Sequence, residues 1–163
     1  MTSFLALAIS ISAQADAPYP GIHAAQVMEL RSYAQEPYFK YYCVAVNRGE
    51  LRHPASRGEL FESTRARPDP PTELMLELQD AKHRFVPASA CDADSSGDIR
   101  YRAAKAKPSL LVVVGAVEII SPDRLRFMVF TTSGSLTETD TLVEYERTAN
   151  GWKQVSSKIL RQA

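Results

Sequence analysis

The sequence predicts an α+β domain, with an antiparallel sheet whose C-terminal four-stranded meander packs against N-terminal helices. Three observations support this. Between Pro108 and Leu160, four strand-like runs are joined by three short turns. Helical periodicity appears only ahead of that stretch, over Ile22 to Ala34 and again after Asp69. Finally, about 148 residues (163 − 15) remain once a candidate leader is set aside, which is one domain's worth and enough for a sizeable core. No internal repeat or low-complexity tract divides the chain.

The leader is residues 1–15. Phe4 to Ser12 is apolar with small polar interruptions, and Ala13-Gln14-Ala15 is the small-x-small pattern that a signal peptidase cuts after, here before Asp16 and Pro18. The α-amino group alone supplies positive charge ahead of the apolar run. That run is shorter than the ~20 residues of a membrane span, and no cysteine follows it to accept a lipid. Residues 16–163 are therefore expected as a single soluble periplasmic or secreted domain, without membrane insertion. The chain carries 19 basic and 19 acidic residues. That balance argues against nucleic acid or an anionic membrane as partner, since either needs a basic excess.

From Ile22 to Ala34 the 3.6-residue period puts His23, Val27, Leu30 and Ala34 on one arc, with Ala24 and Met28 at its edge, so an amphipathic helix is expected. Pro37 ends it. His23 lies on the apolar arc and reads as a core histidine with no partner nearby. Tyr38 to Val46 is aromatic and β-branched: a strand with Tyr42, Val44 and Val46 on one face and Tyr41, Cys43 and Ala45 on the other.

Asn47 to Arg67 has no sustained period and reads as a long surface loop. Its basic side chains, Arg48, Arg52, Arg57, Arg65 and Arg67, are interleaved with Glu50, Glu59 and Glu62, so its charge nearly cancels. Asp69 before Pro70-Pro71 predicts an N-cap for a short helix running to Lys82 that buries Leu74, Leu78 and Met75. Arg84 to Ala90 follows as a strand, confined to an edge by Pro87.

The meander begins with Leu110 to Ile120, apolar on both alternating faces as a central strand is. Ser121-Pro122-Asp123 is a turn. Leu125, Phe127, Val129 and Thr131 then share one face of the next strand, with Arg126, Met128, Phe130 and Thr132 on the other. After Ser133-Gly134-Ser135, Glu138 to Arg147 alternates Thr139, Thr141, Val143 and Tyr145 against Glu138, Asp140, Leu142, Glu144 and Glu146, so one face is wet. Asn150-Gly151 suits a type I′ hairpin. Trp152, Val155 and Ile159 are expected to anchor the closing strand. Trp152 and Val155 differ in parity, which predicts a bulge near Lys153 if both are buried.

Cys43 and Cys91 are the only cysteines. An even count behind a secretory leader predicts a disulfide between them, because the compartment beyond the membrane is oxidising. Closing a loop of roughly 49 residues would contribute about 4 kcal/mol as an upper bound. The competing reading, a catalytic thiol, needs a histidine base brought by tertiary contact, His53 or His83.

Asp92-Ala93-Asp94-Ser95-Ser96-Gly97-Asp98-Ile99 matches the start of a calcium loop, but Ala103 stands where the bidentate Glu is required, so an acidic surface turn is expected instead. No phosphate-cradling glycine loop, nucleophile elbow or zinc spacing is present, and no cofactor or metal is implied. Glu118 interrupts an apolar strand. It is either an inward carboxylate of raised pKa or, more commonly, the mark of the strand's exposed end.

Helices followed by a twisted meander that closes with Tyr145, Asn150-Gly151-Trp152 and Val155 resembles the NTF2-like (cystatin-like α+β) superfamily, over about Pro108 to Leu160. Tyr42-Cys43-Val44-Ala45-Val46 and Val86-Pro87-Ala88-Ser89-Ala90-Cys91, with Asp69-Pro70-Pro71 and Leu74 to Leu78 between them, also look similar to a set of small exported bacterial proteins to which no activity attaches. The N-terminal half departs from the NTF2-like pattern of three successive helices. No catalytic pair carries over.

Two function classes follow. One is an exported, non-enzymatic binding or interaction module for a protein or small-molecule ligand. The other is a small NTF2-like pocket enzyme, a hydrolase or isomerase, with Glu118 and His83 as its acid and base. Neither the ligand nor the oligomeric state is written in the sequence.

Overall fold

The computed structural model describes residues 22–35, 38–46, 69–79, 84–104, 107–134 and 138–162. The candidate leader, the whole of the 47–67 loop, His53 and His83 lie outside them. The fold is α+β. Helix α1 (Ile22–Tyr33), strand β1 (Tyr41–Val46) and helix α2 (Thr72–Leu78) are followed by β2 (Phe85–Pro87), β3 (Cys91–Ala93), β4 (Ile99–Tyr101) and β5 (Ser109–Val114). Then come β6 (Glu118–Ser121), β7 (Arg124–Thr132), β8 (Glu138–Thr148) and β9 (Gly151–Gln162).

The main sheet has the order β2-β1-β5-β7-β8-β9, with β6 also paired to β7. It is mixed, not antiparallel throughout: β1 runs parallel to both β2 and β5, while β5, β6, β8 and β9 join by antiparallel ladders. More than sixty residues separate β1 from β5, long enough for a crossover that returns the chain in the same direction.

The expected single strand over Leu110 to Ile120 is divided at residues 115–117. β5 pairs with the C-terminal half of β7, from Leu111↔Thr132 to Val114↔Val129. β6 pairs with its N-terminal half, beginning at Glu118↔Arg126. The Gly115 amide donates to the Met128 carbonyl across the break, at 2.8 Å. β5 is buried along its whole length; β6 is exposed along its whole length. An apolar run longer than the layer that covers it emerges into solvent.

Period 2 sorts the core correctly. Tyr42, Val44, Leu110, Val112, Leu125, Phe127, Val129, Val143, Tyr145 and Trp152 pack with Leu30, Leu74 and Leu78 of the helices. The opposite face collects Cys43, Ala45, Leu111, Val113 and Phe130 under Val86, Cys91 and Ile99. β1 and β5 are thus covered on both sides, which explains their unbroken apolar sequence.

The buried face of α1 contains Val27, Leu30 and Ala34 of the predicted arc but is wider and turned away from its Ala24 and Met28 edge. Ala25, Gln26, Val27, Glu29 and Leu30 are buried and Ile22 and Tyr33 pack against the core, whereas Met28 is exposed. Ile22, Ala25, Gln26, Glu29, Leu30 and Tyr33 follow the i, i+3, i+4 rhythm with two polar members, so an apolar-only count rotates the face toward His23 and Met28. His23 is partly buried, and its Nδ1 has no hydrogen-bond partner.

Helix α2 buries Leu74 and Leu78 as expected, but Pro71 occupies its N-cap position and no side chain caps it. Asp69 turns elsewhere and accepts from the Ser89 amide at 3.0 Å and the Ser89 hydroxyl at 2.5 Å. β2 is an edge strand, and Pro87 is its last residue.

In the β8–β9 hairpin Thr148 pairs with Gly151, so Ala149 and Asn150 form the tip and Gly151 follows at φ +107°, a conformation that favours glycine. That is one residue out of phase with the expected Asn-Gly centre. Gly134, at φ +127°, stands so close to the Asp98 backbone that an added Cβ would lie 2.5 Å from Asp98 Cα. The Ile99 amide donates to the Ser133 carbonyl at 3.0 Å beside it, which seats the β3–β4 hairpin on the end of β7.

Candidate interaction surface

Cys43 and Cys91 are bonded, with Cα atoms 6.3 Å apart, and no free cysteine remains. Cys43 sits mid-strand in β1 and Cys91 begins β3, so the bridge ties the small β3–β4 ribbon to the main sheet. Both are buried, and the thiol reading is closed.

The acidic turn is internally satisfied. One oxygen of Asp94 accepts from the Ser96 amide at 2.9 Å, the Ser96 hydroxyl at 2.5 Å and the Asp98 amide at 3.0 Å. Its other oxygen takes Nε of Arg100 at 2.9 Å, and Nη2 of Arg100 reaches Asp98 at 3.0 Å. The Ser96 hydroxyl first, then Arg100, hold the Asp94 carboxyl well below the usual carboxylate range. A guanidinium sits where a cation would need the same oxygens. Among the described residues no group of three or more His, Cys, Asp or Glu side chains is arranged to hold a metal. Millimolar calcium is therefore expected to leave the melting temperature unchanged. A rise of several degrees that disappears in Asp94→Ala would contradict this.

Glu118 is not an inward base. It lies on exposed β6 and grips Arg126 of β7 through two bonds, Nε to Oε2 at 2.7 Å and Nη2 to Oε1 at 2.9 Å. The Arg126 hydrogen bond pulls its carboxyl below the ordinary value. A shallow cleft of about 90 Å³ lies elsewhere, lined by Tyr38, Phe39, Asp98, Arg100, Pro108, Ser109 and Ser133. It is smaller than the roughly 300 to 1,000 Å³ of small-molecule sites, and its arginine is already paired with Asp94 and Asp98.

A polar cluster unforeseen in the sequence lies between α1 and the sheet. Glu29, 4 % exposed, accepts from the Tyr145 hydroxyl at 2.6 Å and from Nε2 of Gln154 at 3.0 Å. Tyr33, one helical turn on, bonds the same carboxyl. Burial pushes the Glu29 pKa up, against the two phenol hydrogen bonds. Both tyrosines are pushed above their ordinary value, by burial first and by the carboxylate beside them. The donors converge on the buried Glu29 carboxylate, so the cluster clamps α1 to β8 and β9.

β9 departs furthest from expectation. Trp152 is buried, but Val155, Ile159 and Leu160 are 42 %, 57 % and 48 % exposed, so two of the three expected anchors face solvent. Gln154 pairs with Tyr145 and Ser156 with Glu144, which makes Val155 an extra residue. Ile159 pairs with Thr141 and Arg161 with Asp140, which makes Leu160 a second. The strand thus carries two bulges. Arg161 holds its far end down, 2.8 Å from Glu138 and 3.4 Å from Asp140. Asp140, expected on a wet face, is 4 % exposed.

Comparison with family models, with curated proteins and with solved structures found no match to this chain.

Proposed function

We propose that this chain is an exported, non-enzymatic interaction domain, periplasmic or secreted, that meets its partner along the open side of its sheet. One observation carries the proposal: the core is packed on both sheet faces at β1 and β5, while β9, twelve residues long, ends the sheet among the described residues and is exposed from Lys153 to Leu160. The meander and its resemblance to the NTF2-like superfamily belong to the same proposal, as a scaffold type that hosts binders and enzymes alike. Export is supported by the Cys43–Cys91 bond, which persists in oxidising compartments. No helix among the described residues is long and apolar enough to cross a membrane.

The enzymatic alternative has lost Glu118 as its base. Its other group, His83, lies outside the described residues.

Two measurements test the proposal. N-terminal sequencing of exported material should begin at Asp16; uncut chain retained in the cytoplasm would refute export. A photo-crosslinking side chain placed at Ile159 should give discrete adducts in the native compartment, and the same group at exposed Ser95 should not. Equal labelling at both positions would count against β9 as the contact.

A further inference from the structure

We infer that β9 is an acceptor edge for an extended, acidic peptide segment of another protein, which adds to the sheet as its next strand; this rests on the interaction reading above. The two ends of the sheet differ. β2 offers three residues, the last of them Pro87, and then a 3-10 turn. β9 offers twelve, and every residue from Lys153 to Leu160 is exposed. A strand with one hydrogen-bonded neighbour presents its remaining backbone donors and acceptors sideways, and these supply most of the affinity in strand addition.

The charge on this edge is one-sided. Between Gly151 and Gln162 there are Lys153, Lys158 and Arg161 and no acidic residue. Arg161 is held by Glu138 and Asp140. Arg124 and Arg126 of β7, beyond β8, are likewise paired, with Glu144 and Glu118. Among the described residues neither Lys153 nor Lys158 is held in an ion pair, though Glu146 stands across the β8 ladder from Lys153.

The bulge at Val155 decides where these lysines point. Five residues apart, they would project from opposite faces of a regular strand. With Val155 as the extra residue, Lys153 stands opposite Glu146 and Lys158 opposite Leu142, positions of equal parity on β8. Both lysines therefore share the face away from the helices, about 13 Å apart at ~3.3 Å per residue. Ile159, opposite Thr141, faces the other way.

Lysines and bulges also blunt edges against self-pairing. Two copies of β9 laid side by side would bring only like charges together, so a second copy is the wrong occupant. An incoming strand with Asp or Glu at i and i+4 meets both lysines from one face, and an apolar residue on its other face covers Ile159. The same lysines then exclude self-association and select the partner.

The test uses the intact full chain and labelled ten-residue peptides of Thr, Val and Ile bearing Glu at i and i+4. Anisotropy should show binding at least tenfold tighter than for the peptide with Lys in place of Glu, weakening as salt rises. N-methylation of alternate amides should abolish it, and hydrogen exchange should slow in β9. Lys153→Glu with Lys158→Glu, both exposed and outside the core, should reverse the preference. Indifference to N-methylation, protection away from β9, or no binding by any peptide would overturn the inference. If that happens while the crosslinks at Ile159 persist, acidic strand addition fails and the interaction domain stands. Loss of both removes both.

Discussion

Cys43→Ser combined with Cys91→Ser is expected to lower stability by about 2 to 4 kcal/mol, read as an earlier urea midpoint. The bridge spans a sequence separation of 48 and is the one covalent link between the β3–β4 ribbon and the main sheet. Its loss frees that loop in the unfolded chain, and Cys43, fully buried between Ala45 and Leu111, becomes a hydroxyl among apolar neighbours. The effect should be localised. Hydrogen exchange is expected to quicken in β3, β4 and β2 while β8 and β9, which lie outside the core cluster that holds the two cysteines, keep their protection. A uniform loss across all strands would show that the bridge supports the whole fold and not the ribbon alone.

What the sequence revealed follows from how local each signal is. The strand faces of β1, β5 and β7 were legible because two-sided burial leaves an apolar residue at nearly every position from Ser109 to Val114 and at Leu125, Phe127, Val129 and Phe130. The disulfide was legible from chemistry: two cysteines, no third choice, and the leader expected ahead of them. Where each strand stops was not. Ile119 and Ile120 are as apolar as Leu111, yet they stand exposed, and coverage is a property of layers and not of residues.

β9 failed for a related reason. Bulges shift parity, and which residue is the extra one depends on the register with β8, where Tyr145 meets Gln154 and Glu144 meets Ser156. Glu29 was hidden by its type. A carboxylate on a helix reads as surface until Tyr33, one turn on, and Tyr145, on an apolar strand face, are known to converge on it. The signal that would have found it is the i, i+3, i+4 series from Ile22 to Tyr33, read without excluding polar residues.

Glu29→Ala is expected to cost about 2 to 4 kcal/mol, because it leaves the Tyr145 and Tyr33 hydroxyls buried without their acceptor. Glu29→Gln keeps an accepting oxygen and removes the buried charge, so it should be at least as stable as the parent at pH 8. The pH dependence separates charge from packing. Burial raises the folded-state pKa of Glu29 above its ordinary value of 4.5, so between those two values the folded chain holds more protons than the unfolded chain. Stability from this group is full below pH 4.5 and is lost as pH rises through the folded value. Asp94 and Glu118, whose carboxyls are held low, act with the opposite sign and withdraw stability on acidification below their ordinary range. The difference between parent and Glu29→Gln cancels those two contributions. Urea midpoints taken from pH 4 to 8 should fall for the parent and stay level for Glu29→Gln above pH 4.5. Parallel curves for the two chains would mean that the carboxyl is not held against its ionisation, and that the clamp between α1 and the sheet is packing alone.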